Sequence, residues 1–269
     1  MCKVLGVNRS TYYKSLNHKP SARELETKKL DADILTIYYD TKRRYGAPKI
    51  CDDLHDMGWN VSLKRVQRRM AVLGIHSIVV KKYRHFSDNK PVIERENILN
   101  QDFEATGINQ KWCTDITYIH TKKDGWTYLA SVMDLYSRKI IGWAYDTSMS
   151  AELAVKAVQN ACLNVPNAEG IVLQSDLGSQ YTSDLFERYI AKHRIQHSFS
   201  RKGCPYDNAC IESFHSLLKK EEVYRKIYKD STDAFNSIFE YIESWYNRRR
   251  KHSSLGYRTP DQVHAEGAA

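Results

Sequence analysis

"KWCTDITYIHTKKDGWTYLASVMD", residues 111–134, decides the fold class. Residues 111–120 alternate in polarity and are rich in β-branched side chains, the mark of a strand. "KKDG" (122–125) is a turn, and "WTYLASVMD" (126–134) is the returning strand of a hairpin. One residue breaks the pattern. Asp115 stands between Thr114 and Ile116, where a carboxylate is costly to bury unless it is paired or holds a cation.

Downstream, "KIIGWAYD" (139–146) gives a third strand. A helix follows over about 150–163, with Leu153, Ala154, Ala157, Val158 and Ala161 on one face. "GIVLQSD" (170–176) is a short buried strand ending in Asp176, the position from which α/β sheets present side chains to ligands. A helix over 182–193, a strand over 195–200 and helices over 208–229 and 232–250 complete the pattern. The fold class is α/β, a mixed five-stranded sheet flanked by helices. In "CPYDNACIESFHSLLKKE" (204–221), Asn208 is a candidate helix cap, and Ile211, Phe214, Leu217 and Leu218 form the apolar stripe. Glu212, Ser216 and Lys219 follow one another at helical spacing on another face. If that helix crosses the sheet edge where the first strand meets Asp176, then Asp115, Asp176 and Glu212 converge. Three carboxylates with few other ligands suit Mg²⁺ or Mn²⁺. Taken singly, each is one of 32 acidic residues and reads as a surface charge.

Upstream, "VSLKRVQRRMAVLGI" (61–75) is a helix with Ser62 as its cap and Gly74 as its stop. Lys64, Arg65, Arg68 and Arg69 lie on or near its polar side. Shorter and longer helical patterns cover 48–57 and 23–42, and such a trio matches a helix-turn-helix domain as well as a small bundle with a solvated basic face. Arg43, Arg44 and Lys49 add to the basic surface expected there. Charge separates the two halves: residues 1–100 hold 20 Lys and Arg against 11 Asp and Glu, and residues 101–269 hold 21 of each. The whole net charge of +9 therefore belongs to the first part, which points to polyanion binding. The expected divisions are a partial helix-turn-helix segment (1–18), a helix-turn-helix domain (22–76), a linker (77–108), a catalytic core (109–229) and a C-terminal helix and tail (230–269).

Neither a membrane span nor a signal peptide is visible. The six cysteines form no Cys-x-x-Cys pair and read as free thiols, and His193, His197, Cys204 and Cys210 lack the spacing of a zinc site.

The segments "WCTDITYI", "QSDLGSQYTS" and "RKGCPYDNACIESFHSLLKKE" resemble the three signature segments of DDE transposases and retroviral-type integrases. The 35 residues between Asp176 and Glu212 equal that superfamily's D-35-E spacing. More narrowly, the chain is similar to the catalytic second reading-frame product of bacterial insertion-sequence transposases. "RRYGAPKICDDLHDMGWNVSLKRVQRRMAVLGI" resembles that family's helix-turn-helix domain, and "DLYSRKIIGWA", "YNRRRKHSSLGYRTP" and "VLGVNRSTYY" also fit. The resemblance implies an RNase H-like core and DNA strand cleavage and transfer by metal-dependent transesterification. It makes Asp115, Asp176 and Glu212 the catalytic ligands of Mg²⁺ or Mn²⁺, with two ions expected. It sets Lys219 against the reacting DNA end, with Arg201, Lys202, Tyr206 and Asn208 nearby. The implied partners are the element's terminal inverted repeats, target DNA, further copies of the chain on DNA, and an upstream-frame helix-turn-helix protein as fusion or partner. The implied location is the bacterial cytoplasm, at the nucleoid. Gln174 stands where many relatives carry His, and His215 where many carry an aromatic residue. An RNase H-fold nuclease that only hydrolyses, and a DNA-binding regulator without catalysis, are the alternatives.

Overall fold

The computed structural model describes residues 8–16, 19–78, 96–163, 167–201 and 204–268, with Gly6 and Val165 besides. The chain divides into two compact units, Met1–Ile78 and Val79–Ala269.

The first unit contains α1 (Arg9–Leu16), α2 (Ala22–Asp40), α3 (Ala47–Asp56) and α4 (Leu63–Val72). A capping box starts α2: Ser21 Oγ accepts the Glu24 amide, and the Glu24 carboxylate accepts the Ser21 amide at 2.6 Å. Ser62 caps α4 through the Arg65 amide. After α3 and α4 the chain turns at Gly58 and Gly74, whose φ values of +86° and +67° any side chain would strain. Leu30, Ile34, Ile50, Leu54 and Val66 are fully buried and hold α2, α3 and α4 together. These three helices are the trio expected from the sequence. Leu63, in the first turn of α4, is 41% exposed, so Val66 and Met70 carry the buried contact of this helix.

The second unit is built on a five-stranded sheet. β1 (Lys111–Thr121), β2 (Gly125–Asp134) and β3 (Ile140–Asp146) run antiparallel, and β4 (Val172–Ser175) and β5 (Gln196–Phe199) lie parallel to β1, in the order β3-β2-β1-β4-β5. The hairpin closes at Thr121↔Gly125, where Gly125 has φ +70°. α5 (Ala151–Cys162) and α6 (Asp184–Lys192) follow β3 and β4. Trp112, Val132, Leu153, Ala157 and Leu173 are among the buried residues of the core on this side. At Gly142 a Cβ would lie 2.4–2.7 Å from the backbone of Ala157 and Ala161, so only glycine lets α5 sit this close to β3.

α7 (Ala209–Glu221) and α8 (Ser231–Phe239) also pack on the sheet, burying Ile211, Phe214, Leu218 and Ile238. Both are shorter than expected. The predicted helix over 208–229 ends as an α-helix at Glu221, and a 3-10 turn at Val223–Arg225 leads to Tyr228, which pairs with Thr121 at the end of β1. The predicted helix over 232–250 divides, because Glu240–Tyr246 winds as a π-helix after α8. A further helix, α9 (Pro260–Ala268), is absent from the sequence reading, although Thr259 and Pro260 start it in the usual way. Among the described residues no helix is long and apolar enough to cross a membrane.

Candidate active site

Parallel pairing brings two carboxylates together. β1 and β4 pair at Lys111↔Val172, Trp112↔Leu173 and Cys113↔Gln174, and then part. Asp115 lies two residues beyond Cys113, and Asp176 two beyond Gln174. The two-residue strand period therefore sets both on the same face of the sheet, Asp176 just past the carboxyl end of β4 and Asp115 where β1 runs on beyond it.

The third carboxylate arrives on α7, whose first turn carries Glu212. Two side chains fix that helix to the sheet, at Asp115 and at its neighbour Thr114. Asn208 Nδ2 donates to the carbonyl of Thr114 at 3.1 Å. His215 places Nδ1 3.2 Å from Asp115 Oδ2 and Nε2 3.4 Å from the hydroxyl of Ser131, the cross-strand partner of Asp115. Asn208 and His215 stand one turn before and one turn after Glu212, so the anchors bracket it.

The carboxylates oppose one another electrostatically. Burial, with Asp115 adding to it, pushes Asp176 above the usual carboxylate range, and the Gly178 amide at 2.9 Å pulls the other way. Glu212 is also pushed up, by burial first and then by Asp115 and Asp176. Lys219 and Lys220 bring positive charge to the same cleft, and Lys219 is the one that feels Asp115. Burial pushes its ammonium down against the attraction of Asp115, and Nζ rests 4.2 Å from the centroid of the Tyr118 ring. Asp115, Tyr118, Glu212, Ser216, Lys219 and Tyr224 line one open cleft of about 470 Å³. Among the described residues, only Asp52, Asp53 and Asp56 on α3 bring three ligating atoms within 4.8 Å of one another, so the three carboxylates at the crevice are set wider than that.

Known proteins share this plan. An integrase core domain family matches residues 105–205, a second integrase core domain family matches 193–260, and an HTH-like domain family matches 24–83. The transposase for insertion sequence element IS904 of Lactococcus lactis is 37% identical, over 91% of this chain and 97% of its own length. Transposase InsF for insertion sequence IS3A of Escherichia coli K12 is 37% identical over all of this chain and 94% of its own. The chain belongs to the insertion-sequence transposases. A solved simian T-cell lymphotropic virus intasome, in complex with PP2A regulatory subunit B56 gamma, shares the fold at TM-score 0.50 and 14% identity, over 86% of this chain and 74% of that one.

Within this transposase the basic residues expected on DNA divide into exposed and internal ones. Lys64, Arg68 and Arg43 are exposed, and Lys49 lies with Nζ 5.0 Å from the Tyr45 ring centroid. Arg44, expected on the DNA surface, is buried within the helical unit. Arg65 pairs with Glu26 at 2.9 Å, and Arg69 forks onto Asp31 at 2.6 and 2.7 Å, so both tie α4 to α2. Tyr206 is 74% exposed. Arg201 is half exposed but folded onto Asp207, and Lys202 lies outside the described residues. Asn208, expected near the DNA, is buried and donates its side-chain amide to the Thr114 carbonyl.

Asp207 is a feature the sequence reading missed. Its carboxylate accepts from Asn97 Nδ2 at 2.9 Å, Gln101 Nε2 at 2.7 Å and Arg201 backbone N at 2.7 Å, besides the Arg201 side chain. It thereby shapes the turn that delivers α7. Its partners lie as far as 110 residues away, so no local pattern marks it.

Proposed function

We propose that the chain cleaves DNA at the ends of its element and joins the freed strand to a new phosphodiester, with Asp115, Asp176 and Glu212 as the catalytic carboxylates. One observation supports the reading: the strand register and the anchored helix set Asp115 and Glu212 in one cleft with Lys219, close enough to Asp176 that the three acids act on one another.

The donor set fits a hard divalent cation. It is made of carboxylate oxygens, and burial first, then the neighbouring acids, raise Asp176 and Glu212 above their ordinary values, a crowding of negative charge that a cation relieves. Their wide setting leaves room for waters and a phosphate oxygen among the ligands, as Mg²⁺ and Mn²⁺ require. Asp115, Asp176 and Glu212 would hold the metal, which when bound polarises the phosphodiester and activates the attacking oxygen.

The protein's own groups supply position and charge. His215 and Asn208 keep α7 in register with β1, and Lys219 offers a cation to the phosphate beside the reacting one. The exposed basic side chains of the helix-turn-helix unit, Lys64, Arg68 and Arg43, hold the DNA backbone in a salt-sensitive manner. The substrates are the terminal inverted repeats and target DNA. Further copies of the chain, and an upstream-frame helix-turn-helix protein, complete the assembly on DNA.

The test is incubation with the element's own ends and Mg²⁺ or Mn²⁺, with cleaved and joined strands scored separately. Wild type yields both products, and Asp115→Asn, which keeps the shape and removes the charge, yields neither. Hydrolysis without joining would make the enzyme a nuclease, and joining by Asp115→Asn would remove Asp115 from the chemistry.

A further inference from the structure

Beside the cleft lies a group of rings that the proposed chemistry does not use. Strand periodicity and the pairing His120↔Trp126 place Tyr118, His120 and Trp126 on one face of the β1–β2 hairpin. Further in, the same face carries Trp112 and Ile116, which are packed in the core with α5. Towards the turn the strands run clear of that cover, and the burial of β1 gives way at Tyr118 and His120. Tyr118 is 56% exposed and Trp126 55%. The rings hold each other edge to face. Tyr118 and Trp126 have centroids 5.3 Å apart at 88°, and His120 and Trp126 lie 5.0 Å apart at 80°. They form a braced shelf.

Resting on the reading of the chain as a transposase, we infer that this shelf receives an unpaired nucleobase of the DNA strand whose phosphodiester lies in the crevice. Strand alternation sets Tyr118 on the face opposite Asp115, but at the edge of β1 beyond its pairing with β4 it lines the cleft with Asp115 and Glu212, so the shelf borders the site. Lys219 and Lys220 line that cleft too, and Lys219 lies over the Tyr118 ring, so phosphate-binding charge stands where a base meets its backbone. Base edges are read by hydrogen-bonding side chains such as Arg, Asn and Gln, whereas flat aromatic rings read base faces. In a duplex those faces are covered by the neighbouring pairs, so only a base that has left the stack offers one. A protein partner is the other occupant such rings suit, but the cations and carboxylates bordering this shelf favour a nucleotide.

The experiment compares binding, by fluorescence anisotropy in Ca²⁺, of the full chain to three duplexes carrying the element's terminal sequence. One is fully paired at the reacting end, one is mismatched there, and one is abasic at the mismatched position. For the mismatched end, Trp126→Ala and Tyr118→Ala bind about 5- to 100-fold more weakly than wild type, the range that loss of one stacked base gives. Trp126→Phe, which keeps a ring, stays close to wild type and excludes a folding defect. With the abasic end the difference between wild type and the alanine variants disappears. Equal losses on all three duplexes would make the rings ordinary backbone contacts and overturn the inference, as would no loss at all. Self-association of wild type without DNA that Trp126→Ala abolishes would identify a protein interface instead. Cleavage and joining of the paired end by wild type in Mg²⁺ separates the two readings. If that activity is absent, the transposase mechanism fails; if it is present while the alanine variants bind normally, the shelf alone fails.

Discussion

His215 meets Asp115 with one ring nitrogen and Ser131 with the other, so its removal releases a carboxylate and leaves a void under α7. Hydrogen bonds to ligating carboxylates typically account for about 10- to 100-fold in metal affinity or rate. His215→Ala is therefore expected to lower Mn²⁺ affinity and strand joining together by that order, as read by metal titration and product formation. His215→Gln, which keeps a polar contact, loses less. Asp207 gives the residue scale its pH dependence. Burial pushes its carboxyl up, but the Arg201 side chain and backbone, with Gln101, hold it below the ordinary carboxylate range. A depressed folded-state pKa contributes stability above the unfolded value, near pH 4, that is lost as pH falls through the folded one. The stability difference between wild type and Asp207→Asn, measured by denaturant unfolding, is accordingly largest above pH 5 and shrinks below pH 4. Asp115 was legible because a carboxylate in a strand is an anomaly. The role of His215 was not, since its partner lies 100 residues away and a histidine on an apolar face passes for core.

α7 carries Glu212 at one end and a buried ion pair at the other. Arg250 forks onto Glu221 at 2.8–3.2 Å, and the Tyr241 hydroxyl and Trp245 indole donate to the same carboxylate. Asn247, one turn before Arg250, bonds both the amide and the carbonyl of Ile140 at 3.0 Å, which fastens this segment to β3. The run "YNRRRKHSSLGYRTP" thus supplies the clamp that holds the last turn of α7. Removing one member of a buried pair leaves an uncompensated charge and costs about 3–5 kcal/mol, whereas replacing both by apolar residues costs much less. Arg250→Ala is expected to destabilise the second unit by that amount in urea unfolding, and Glu221→Leu with Arg250→Met to recover most of it. This clamp also explains what the sequence withheld at the element scale. The β1–β2 hairpin follows from local alternation and a turn, so its ends were readable to within a residue or so. The end of α7 depends on Glu221, which in "KKEEVYRK" looks like one more solvated charge until Arg250 reaches it from 29 residues away.

Across the whole molecule, the site is assembled from places far apart in the chain: a strand in the first hairpin, the end of β4 and the first turn of α7. Their convergence concentrates negative charge, and this sets stability against function. Asp176 and Glu212 have raised folded-state pKa values, the opposite sign from Asp207. A raised carboxylate opposes folding at neutral pH, and the opposition fades as pH falls through the folded value. A bound divalent ion removes it without a change of pH, because whatever binds the folded state alone stabilises it by mass action. Millimolar Ca²⁺ is therefore expected to raise the melting temperature of the wild-type chain, as followed by differential scanning fluorimetry. Asp115→Asn takes one charge from the cluster, so without metal it melts above wild type, and with Ca²⁺ it gains little. Catalytic residues are commonly suboptimal for stability in this manner. The outcome that would count against a charged, metal-demanding site is an Asp115→Asn chain that melts below wild type in chelator and still rises with Ca²⁺ by the wild-type amount. Such a result would mean that His215, braced in turn by Ser131, had made Asp115 a structural acid of the sheet, and that the cation was held elsewhere.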